Sequence, residues 1–515
     1  MYDITTSTEF MKAGIIMKNE ILAVNDTDNV AIALRHLKKG FSYSFGHYNI
    51  TALDDIQTGH KIALKDIKKG ENIIKYAFPI GQAICDIPAG SHVHSHNIRT
   101  NLDGLLDYTY KKPYIPSYKK KHATFMGYKR ENGRTGIRNE IWIINTVGCV
   151  NRVAERLAQE ADRLYHGRVD GVYTFVHPYG CSQLGDDLNT TRKILAGLVN
   201  HPNAAGVLVL GLGCENNNIA SFRQFLMSSG KLYSEERIRF LSLQEVENDI
   251  DAGLSLIGEL VKYAESFKRE PCPVSGLIIG LKCGGSDAFS GITANPLVGA
   301  LSDIIIQHGG SAILTEVPEM FGAETILMNR CIDEAVFNKM VNLINNFKKY
   351  FIAHNQPIYE NPSPGNRDGG ITTLEEKSLG CTYKGGTGLV VDVLDFGGQI
   401  KYNGLNILNG PGNDIVSVTN LAASGAHLIL FTTGRGTPLG GPVPTLKISS
   451  NTRLYDLKPG WIDFNAGVLL DGIPLNDLAY DLFCLLLKIA SGEAKAKNEV
   501  NSYREIAIFK DGVTL

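Results

Sequence analysis

The segment NEIWIINTVGCVN, residues 139–151, shows the pattern that decides the fold. An apolar, β-branched run ends in a glycine turn, and a helical pattern follows, which is typical of a strand, a loop and a helix. Similar apolar runs recur along the chain at 141–144, 172–176, 207–210, 238–243, 277–279, 312–314, 389–394 and 427–431. We therefore expect mainly parallel sheets with helices on their faces.

The first hundred residues have a different texture, with short β-prone pieces that end in glycine turns. Three of these pieces resemble one another: ALRHLKKG at 33–40, ALKDIKKG at 63–70 and ICDIPAG at 84–90. A glycine at each end supplies the positive φ that a tight turn needs. We predict a β-rich domain at 18–102, a linker at 103–122, an α/β domain at 123–350 and a second α/β domain at 351–515.

Composition restricts the class of protein. The chain has 515 residues, a net charge of −2, 43% hydrophobic and 20% charged residues. This length favours two or three domains, and the near-neutral charge argues against nucleic acid or a membrane as partner. The first residues lack the layout of a secretory signal, and nine cysteines are an odd number for a disulfide framework. We expect a cytoplasmic protein with reduced thiols.

Potential metal ligands follow several of the predicted strands. Ligands bind beyond the carboxyl ends of parallel strands, and the residues found there are Cys149, Cys181, Cys214, Cys283 and Glu316. Thiolates suit iron, zinc or an iron–sulfur cluster. The alternative is that each cysteine is a small residue buried where a strand meets a turn. The regular placement favours a metal site.

A histidine pattern closes the β-rich domain. In GSHVHSHN, residues 90–97, the three imidazoles of His92, His94 and His96 alternate along the chain and would share one face of a strand. Imidazoles bind metals and transfer protons near neutral pH, so these side chains are candidate catalytic groups, as is His177 in the body. Isolated histidines are more often structural.

Other polar residues could bind an anionic substrate. The guanidinium groups of Arg134, Arg138 and Arg435 match a carboxylate, and Asn413 and Asp414 lie in a glycine-rich turn. Each could instead be a structural or turn residue. The run GRGTPLGG at 434–441 fits neither a P-loop nor a dinucleotide fingerprint, so no nucleotide is inferred.

Longer segments resemble a known family, the altronate/galactarate dehydratases. The segments are NEIWIINTVGCVN, HPYGCSQLGDD, GLGCENN, GLKCGGSDAFSGITANP, LTEVPEMFGAE, NPSPGNRDGGITTLEEKSLGC, FTTGRGTPLGGPVPT and WIDFNAG. The part that ends in GSHVHSHN is similar to the SAF domain, a small β-clip module at the N-terminus of that family. Residues 1–17 resemble nothing in the family.

The resemblance implies a metal-dependent hydro-lyase of hexuronate catabolism that converts D-altronate to 2-dehydro-3-deoxy-D-gluconate. The implied cofactor is Fe²⁺, with Mn²⁺ tolerated; an iron–sulfur cluster stays open as the alternative. We expect a small sugar acid as the substrate and keep a homodimer open as the assembly. Galactarate dehydratase, sulfolactate sulfo-lyase and a non-catalytic sugar-acid or metal-binding protein are the competing interpretations.

Overall fold

The computed structural model describes residues 20–46, 48–114, 121–228 and 236–515. An N-terminal module of small antiparallel sheets precedes two α/β regions whose main sheets are parallel, which confirms the expected fold class. The extension at 1–17 lies outside the described residues. In the described ranges, no helix has the length and apolar character needed to cross a membrane.

Nine short strands form the N-terminal module: β1 (Ile21–Leu22), β2 (Val30–Ala33), β3 (Ser42–Phe45), β4 (Tyr48–Thr51), β5 (Lys61–Ala63), β6 (Asn72–Lys75), β7 (Phe78–Ala83), β8 (His92–Val93) and β9 (Ile98–Arg99). They pair in the orders β1-β2-β5-β8, β6-β7-β9 and β3-β4. Gly40, Gly70 and Gly90 end the repeated segments with φ of 83°, 87° and 87°. The predicted positive-φ turns are confirmed. At Gly90 a Cβ would lie 2.0 Å from the Thr51 oxygen, so only glycine fits.

The expected linker is anchored along part of its length. Leu102, Tyr108 and Tyr110 pack against the body, and the Tyr108 hydroxyl donates a hydrogen bond to Glu324. Residues 115–120 lie outside the described part of the chain. Beyond them, β10 (Thr124–Lys129) pairs antiparallel with β11 (Thr135–Gly136) and with β16 (Arg269–Pro273).

A four-stranded parallel sheet forms the first α/β region. Its strands are β12 (Glu140–Asn145), β13 (Val172–Thr174), β14 (Ala204–Gly211) and β15 (Ile238–Ser242), in the order β13-β12-β14-β15. Its helices are α1 (Asn151–Leu164), α2 (Gly185–Val199), α3 (Ile219–Ser228) and α4 (Asp249–Ala264). Every residue of β12 and β14 is buried, because helices cover both faces of the sheet.

A seven-stranded parallel sheet forms the second α/β region, in the order β19-β20-β18-β17-β21-β22-β23. Its strands are β17 (Ile278–Cys283), β18 (Ser311–Leu314), β19 (Val390–Leu394), β20 (Leu405–Leu408), β21 (Leu428–Thr433), β22 (Thr445–Ser449) and β23 (Phe464–Asn465). The helices of this region are α5 (Ala294–Gln307), α6 (Glu324–Met328), α7 (Glu334–Ala353), α8 (Pro364–Asp368), α9 (Leu374–Thr382), α10 (Asp414–Ala423), α11 (Thr452–Leu457), α12 (Leu475–Ala490) and α13 (Lys497–Val500).

The expected division of the body at residue 350 needs correction. That position lies inside α7, and the seven-stranded sheet takes β17 and β18 from one side of it and five strands from the other. The two sheets separate between the end of α4 and the start of β17. Strand β18 pairs with β20 across the long segment that contains α7, α8 and α9, so the two halves that were predicted as separate domains form one sheet.

The three regions share buried cores. Residues of α2 and α10 lie in one apolar cluster, which joins the two parallel sheets. Ala323 and Leu379 of the body belong to the core of the N-terminal module. The module is therefore packed on the body through buried apolar surface, which sets its histidines against the second α/β region.

Candidate active site

The carboxyl ends of β17 and β18 bring together Cys283, Glu316 and Asp414. Cys283 is the last residue of β17, and Glu316 follows β18. At Gly284 a Cβ would lie 2.5 Å from a carboxylate oxygen of Asp414, so glycine is needed for the chain to pass. These three predicted site residues do lie in one place.

A second cysteine completes this site. The Sγ atoms of Cys283 and Cys381 are 3.3 Å apart, and Glu319 Oε2 is 3.3 Å from Cys283 Sγ and 3.1 Å from Cys381 Sγ. One ligand atom from each of these three residues lies within 4.8 Å of the others. We call Cys283, Glu316, Glu319 and Cys381 the thiol–carboxylate cluster. Thiol and carboxylate donors together suit a thiophilic divalent cation such as Fe²⁺.

Buried lysines balance the negative charge of the cluster. Lys384 Nζ donates to Cys283 Sγ at 2.7 Å and to Glu316 Oε2 at 2.8 Å. Lys282 Nζ donates to Glu316 and is paired with Asp414 Oδ1 at 2.8 Å. Burial opposes the charge on Lys384, but Cys283 and Glu316 outweigh it and raise the pKa of Lys384 well above its ordinary value. The ammonium groups therefore stay charged.

Lys377 makes the corresponding pair with Glu319, at 2.9 Å. Burial favours the neutral acid, yet Lys377, Lys282 and Lys384 outweigh it and lower the pKa of Glu319 to about 2. Two thiols, two carboxylates and three ammonium groups thus occupy one dry volume, where charges interact more strongly than in water.

Four histidines of the module face the same side of the body. The His92 ring centroid lies 5.4 Å from those of His94 and His96, so the three rings are close together, but only His92 lies on a strand, because β8 ends at Val93. His60, which precedes β5, joins them: its ring stacks on His94 at 4.8 Å, and its Nδ1 is 3.0 Å from His92 Nε2.

The hydrogen bonds of these rings assign their tautomers. His60 Nε2–H donates to the Asp368 carbonyl at 3.2 Å, so a neutral His60 accepts from His92 through Nδ1. His94 Nε2–H donates to the Arg367 carbonyl at 2.9 Å. Among the described residues no hydrogen bond occupies His92 Nδ1, which leaves its lone pair available to a ligand.

The imidazoles of His60, His92 and His94 are neutral at physiological pH. Burial, followed by the neighbouring His60 and His94, lowers the pKa of His92 to about 4. Burial also lowers the pKa of His60 and of His94. A neutral imidazole is the form that binds a metal or accepts a proton.

Helix α9 connects the histidines to the thiol–carboxylate cluster. Lys61, adjacent to His60, places Nζ 2.8 Å from Glu376 Oε2, and Lys75 Nζ lies 2.7 Å from Glu376 Oε1. The next residue of α9, Lys377, is paired with Glu319 of the thiol–carboxylate cluster. One helix therefore fixes the module and the cluster relative to each other.

A small cavity lies along this helix. It is lined by Lys75, Glu376, Lys377 and Cys381, and by Asp287 from the loop after β17. Asp287 is buried, and burial raises the pKa of its carboxyl despite hydrogen bonds from Ser450 and Ser290. A carboxyl with a raised pKa is suited to donate a proton.

Three of the predicted metal ligands lie elsewhere. Cys149, Cys181 and Cys214 are exposed free cysteines in loops of the four-stranded sheet, whereas Cys283 is buried in the seven-stranded one. The expected set of four thiols is therefore divided between two sheets, because the chain starts a new sheet after β16.

Three other candidates have structural roles. Arg138 is buried and forms a two-point ion pair with Glu499, at 2.8 and 2.9 Å. Arg134 donates to the Asn200 carbonyl at 3.0 Å, and His177 Nε2 donates to the Asn145 carbonyl at 2.9 Å. These groups are bonded inside the body, and their expected substrate-binding and catalytic roles stay predictions.

Two further candidates lie near the cluster. Asn413 caps α10 by accepting from the Val416 amide at 3.2 Å, so its side chain is a helix cap. Arg435 is exposed and its backbone amide donates to the Gly285 carbonyl at 2.8 Å, which places it beside the loop that follows Cys283. Of the three predicted arginines, only Arg435 has a side chain open to a ligand.

Four kinds of residue at the site are not apparent from the sequence: Cys381, Glu319, His60 and the buried lysines. Cys381 lies on a helix, and a search for residues that follow strands does not reach it. The segment LEEKSLGC at 374–381 places three consecutive charged residues, Glu375 to Lys377, beside small and apolar ones, and no local pattern in it indicates that α9 is buried on all sides.

Family models match the chain over nearly its whole length. They are the SAF domain of altronate/galactarate dehydratases at residues 19–101, the second domain of D-galactarate dehydratase/altronate hydrolase at 127–265, and the C-terminal domain of D-galactarate/altronate dehydratases at 274–514. An altronate dehydratase of Bacillus subtilis is 51% identical over 96% of this chain and 99% of its own. The chain belongs to the D-galactarate/altronate dehydratase family.

Two further relatives show how the family varies. The galactarate dehydratase (L-threo-forming) of Escherichia coli is 33% identical over 95% of this chain and 96% of its own. The beta subunit of a (2R)-sulfolactate sulfo-lyase from Chromohalobacter salexigens is 32% identical over 75% of this chain and 97% of its own, and the alpha subunit matches 47 residues at 45% identity. Because the chain belongs to the altronate/galactarate dehydratase family, it is a hydro-lyase.

Proposed function

We propose that this chain removes water from D-altronate to give 2-dehydro-3-deoxy-D-gluconate, with Fe²⁺ as cofactor and Mn²⁺ tolerated, in cytoplasmic breakdown of hexuronates. The observation that carries the proposal is the joining, through α9, of a neutral histidine group to a cluster of thiols, carboxylates and ammonium groups. The higher identity to an altronate dehydratase than to a galactarate dehydratase favours altronate as substrate.

The reaction needs a base for the weakly acidic C2 proton. His92 Nδ1 carries a free lone pair on a ring that is neutral at pH 7, so His92 is the proposed acceptor. His60 Nδ1 accepts a hydrogen bond from His92 Nε2–H, which fixes the His92 tautomer whose Nδ1 carries no proton. His94 and His96 shape the same face.

The developing charge needs electrostatic support. Loss of the C2 proton beside a carboxylate produces a doubly charged enolic intermediate, which Lys282 and Lys384 stabilise from fixed positions in a dry site. The C3 hydroxyl leaves as water with a proton from Asp287, whose pKa is raised by burial. The enol then takes a proton at C3 from the protonated His92 while its hydroxyl proton returns to Asp287, which gives the keto acid and restores both groups.

The donor set fits the proposed metal. Cys283, Glu319 and Cys381 would hold Fe²⁺, since two thiols and a carboxylate already converge within 4.8 Å. When bound there, the ion supplies Lewis-acid polarisation of the substrate carboxylate and hydroxyl. Lys384 donates to Cys283 and Lys377 is paired with Glu319, so these two lysines position the donor atoms and balance their negative charge.

The test is a keto-acid assay on a panel of altronate, galactarate and sulfolactate, run anaerobically with ferrous iron and a reductant. Altronate should give the highest kcat/KM, chelation should abolish turnover, and added Fe²⁺ should restore it. Cys283→Ser should lose activity, whereas Cys85→Ser, which changes an exposed cysteine of the module, should retain it. Binding of a sugar acid without turnover of any panel member would instead identify a binding protein, and full activity of metal-free protein would refute the iron requirement.

A further inference from the structure

Three exposed cysteines lie at one rim of the four-stranded sheet. Cys149, Cys181 and Cys214 follow β12, β13 and β14, which are parallel neighbours in the order β13-β12-β14. Carboxyl ends of neighbouring parallel strands meet at one edge. The three thiols are thus presented from adjacent loops on the same side of the sheet.

Hydrogen bonds tie the three loops to one another within a residue or two of each cysteine. They run from Gly148 N to Tyr179 O (2.9 Å), from Asn217 N to Gly180 O (3.0 Å) and from Ser182 N to Asn216 Oδ1 (2.8 Å). Consecutive Cα atoms are only about 3.8 Å apart, so each cysteine stays close to a junction between loops.

Two further features fix the loops: the close approach of Gly180 to Thr146 and the hydrogen bonds of Glu215. Gly180 has φ of 101°, and a Cβ there would lie 1.9 Å from the Thr146 oxygen, so the close approach of two loops depends on glycine. The buried carboxylate of Glu215 accepts from the Gly213 amide at 2.6 Å, the Leu212 amide at 3.1 Å and the Thr146 hydroxyl at 2.6 Å. The loop that carries Cys214 is fixed by these bonds.

Packing does not account for these cysteines. A structural cysteine is small and buried, as Cys272 and Cys331 are in this chain, whereas the three rim thiols are exposed. Three exposed thiols on interlocked loops offer soft ligands, and the carboxylate of Glu215 beside Cys214 is engaged by two backbone amides and the Thr146 hydroxyl.

We propose that Cys149, Cys181 and Cys214 bind an iron–sulfur cluster on the second domain, separate from the thiol–carboxylate cluster. A single zinc ion with Zn–S bonds of about 2.3 Å would need sulfurs about 3.8 Å apart. The three Sγ atoms do not all lie within 4.8 Å of one another. An iron–sulfur cluster is held by thiolates from separate loops, because its irons and inorganic sulfides occupy the space between them. Three thiolates leave one iron of a four-iron cluster open to another ligand.

The experiment measures iron and acid-labile sulfide in the full-length protein purified without oxygen, together with its visible absorption. We expect about four sulfides per chain and a broad visible band. Cys149→Ala, Cys181→Ala and Cys214→Ala should each lose most of the sulfide and the band after reconstitution with Fe²⁺ and sulfide. Cys85→Ala, which removes an equally exposed thiol from the module, should retain both.

Two results would overturn the proposal: wild-type protein that takes up no sulfide on reconstitution, or rim variants that keep it. Circular dichroism of each variant identifies any that fail to fold, and for those the thiol-alkylated wild-type protein provides the same comparison. Cys283→Ser separates this site from the proposed catalytic one. It should keep the sulfide and the visible band while losing turnover.

Discussion

Glu316 adopts a left-handed backbone conformation, with φ of 73° and ψ of 57°. This conformation costs a residue other than glycine about 1–2 kcal/mol. The cost is offset by the bonds it permits, because Glu316 Oε2 accepts from the Cys283 amide at 3.0 Å and from Lys384 at 2.8 Å. Strain of this kind is typical of functional sites, where the surrounding structure imposes the conformation.

His92 provides the sharpest single-residue prediction. His92→Ala should lower kcat by about 10²–10⁴-fold with a much smaller change in KM, because a proton acceptor acts in the transition state. The matched control is His36→Ala, which removes an exposed histidine of the same module and should leave kcat unchanged. Steady-state kinetics on altronate measures both variants. Wild-type kcat in a folded His92→Ala protein would remove His92 from the mechanism.

The sequence predicted site residues where chemistry follows a strand, and failed where it comes from a helix. Cys283 and Glu316 were found because parallel strand ends share an edge, and Asp414 was predicted separately, as a polar residue of a glycine-rich turn. Cys381 and Lys384 come from α9 and the turn after it, which reach the cluster only through tertiary packing. Buried lysines look like surface residues in a sequence, since their burial depends on partners far along the chain.

At the scale of elements, the module was the most predictable part. The repeated segments each closed with a positive-φ glycine, a requirement that is local in sequence and therefore visible in it. Eight strands of the body were also predicted, but the assignment of strands to sheets was not. The described strands that the sequence did not predict are β10, β11, β16, β20, β22 and β23. Sheet membership depends on pairing between strands separated by a long segment such as 315–389, and no local pattern records it.

Glu376 on α9 is predicted to hold the module on the body. Glu376→Leu leaves the buried ammonium groups of Lys61 and Lys75 without a countercharge, so the free energy of unfolding should fall by about 3–5 kcal/mol. Adding Lys61→Met and Lys75→Met should restore much of that loss, because apolar residues need no countercharge. Urea unfolding measures all variants. An unchanged midpoint for Glu376→Leu would show that apolar packing alone docks the module.

At the scale of the whole molecule, buried neutral histidines predict sensitivity to acid. His427 Nδ1 accepts from the Ile278 amide at 3.0 Å while Nε2 donates to the Thr135 carbonyl, so both bonds need the neutral ring. Burial, followed by Arg134, lowers the pKa of His427 to about 4. The unfolded chain binds the extra proton below about pH 6.5, so stability is complete above that pH and is lost as pH falls towards 4.

Protonation of His427 should lower the free energy of unfolding by about 3 kcal/mol between pH 6.5 and pH 4. Unfolding free energies at several pH values between 7 and 4 should therefore decrease, and His427→Gln, which keeps an amide donor and an oxygen acceptor, should reduce the slope. His308→Gln is the control, since His308 lies partly exposed at the end of α5. Equal slopes for wild type and His427→Gln would assign the acid sensitivity to other groups.

The largest-scale prediction is that module and body form one active site. The module contributes the histidines, the body contributes the thiol–carboxylate cluster, and α9 holds them together, so each half is chemically incomplete. The sulfolactate sulfo-lyase relative is itself made of separate chains that match 399 and 47 residues of this one. Fragments 1–105 and 120–515 should each be nearly inactive in the altronate assay, and mixing should restore turnover with a dependence on concentration.

A cut made after folding tests the same idea without asking the fragments to fold alone. Tyr114 is 87% exposed, so a protease site at 112–114 can be cleaved in the native protein. The nicked protein should keep its activity at high concentration, since the core shared with Ala323 and Leu379 still holds the parts together. Activity should fall on dilution as the module dissociates and the His92 lone pair leaves the site. A purified body that turns over altronate as fast as the whole chain would show that the histidines are accessory to the reaction.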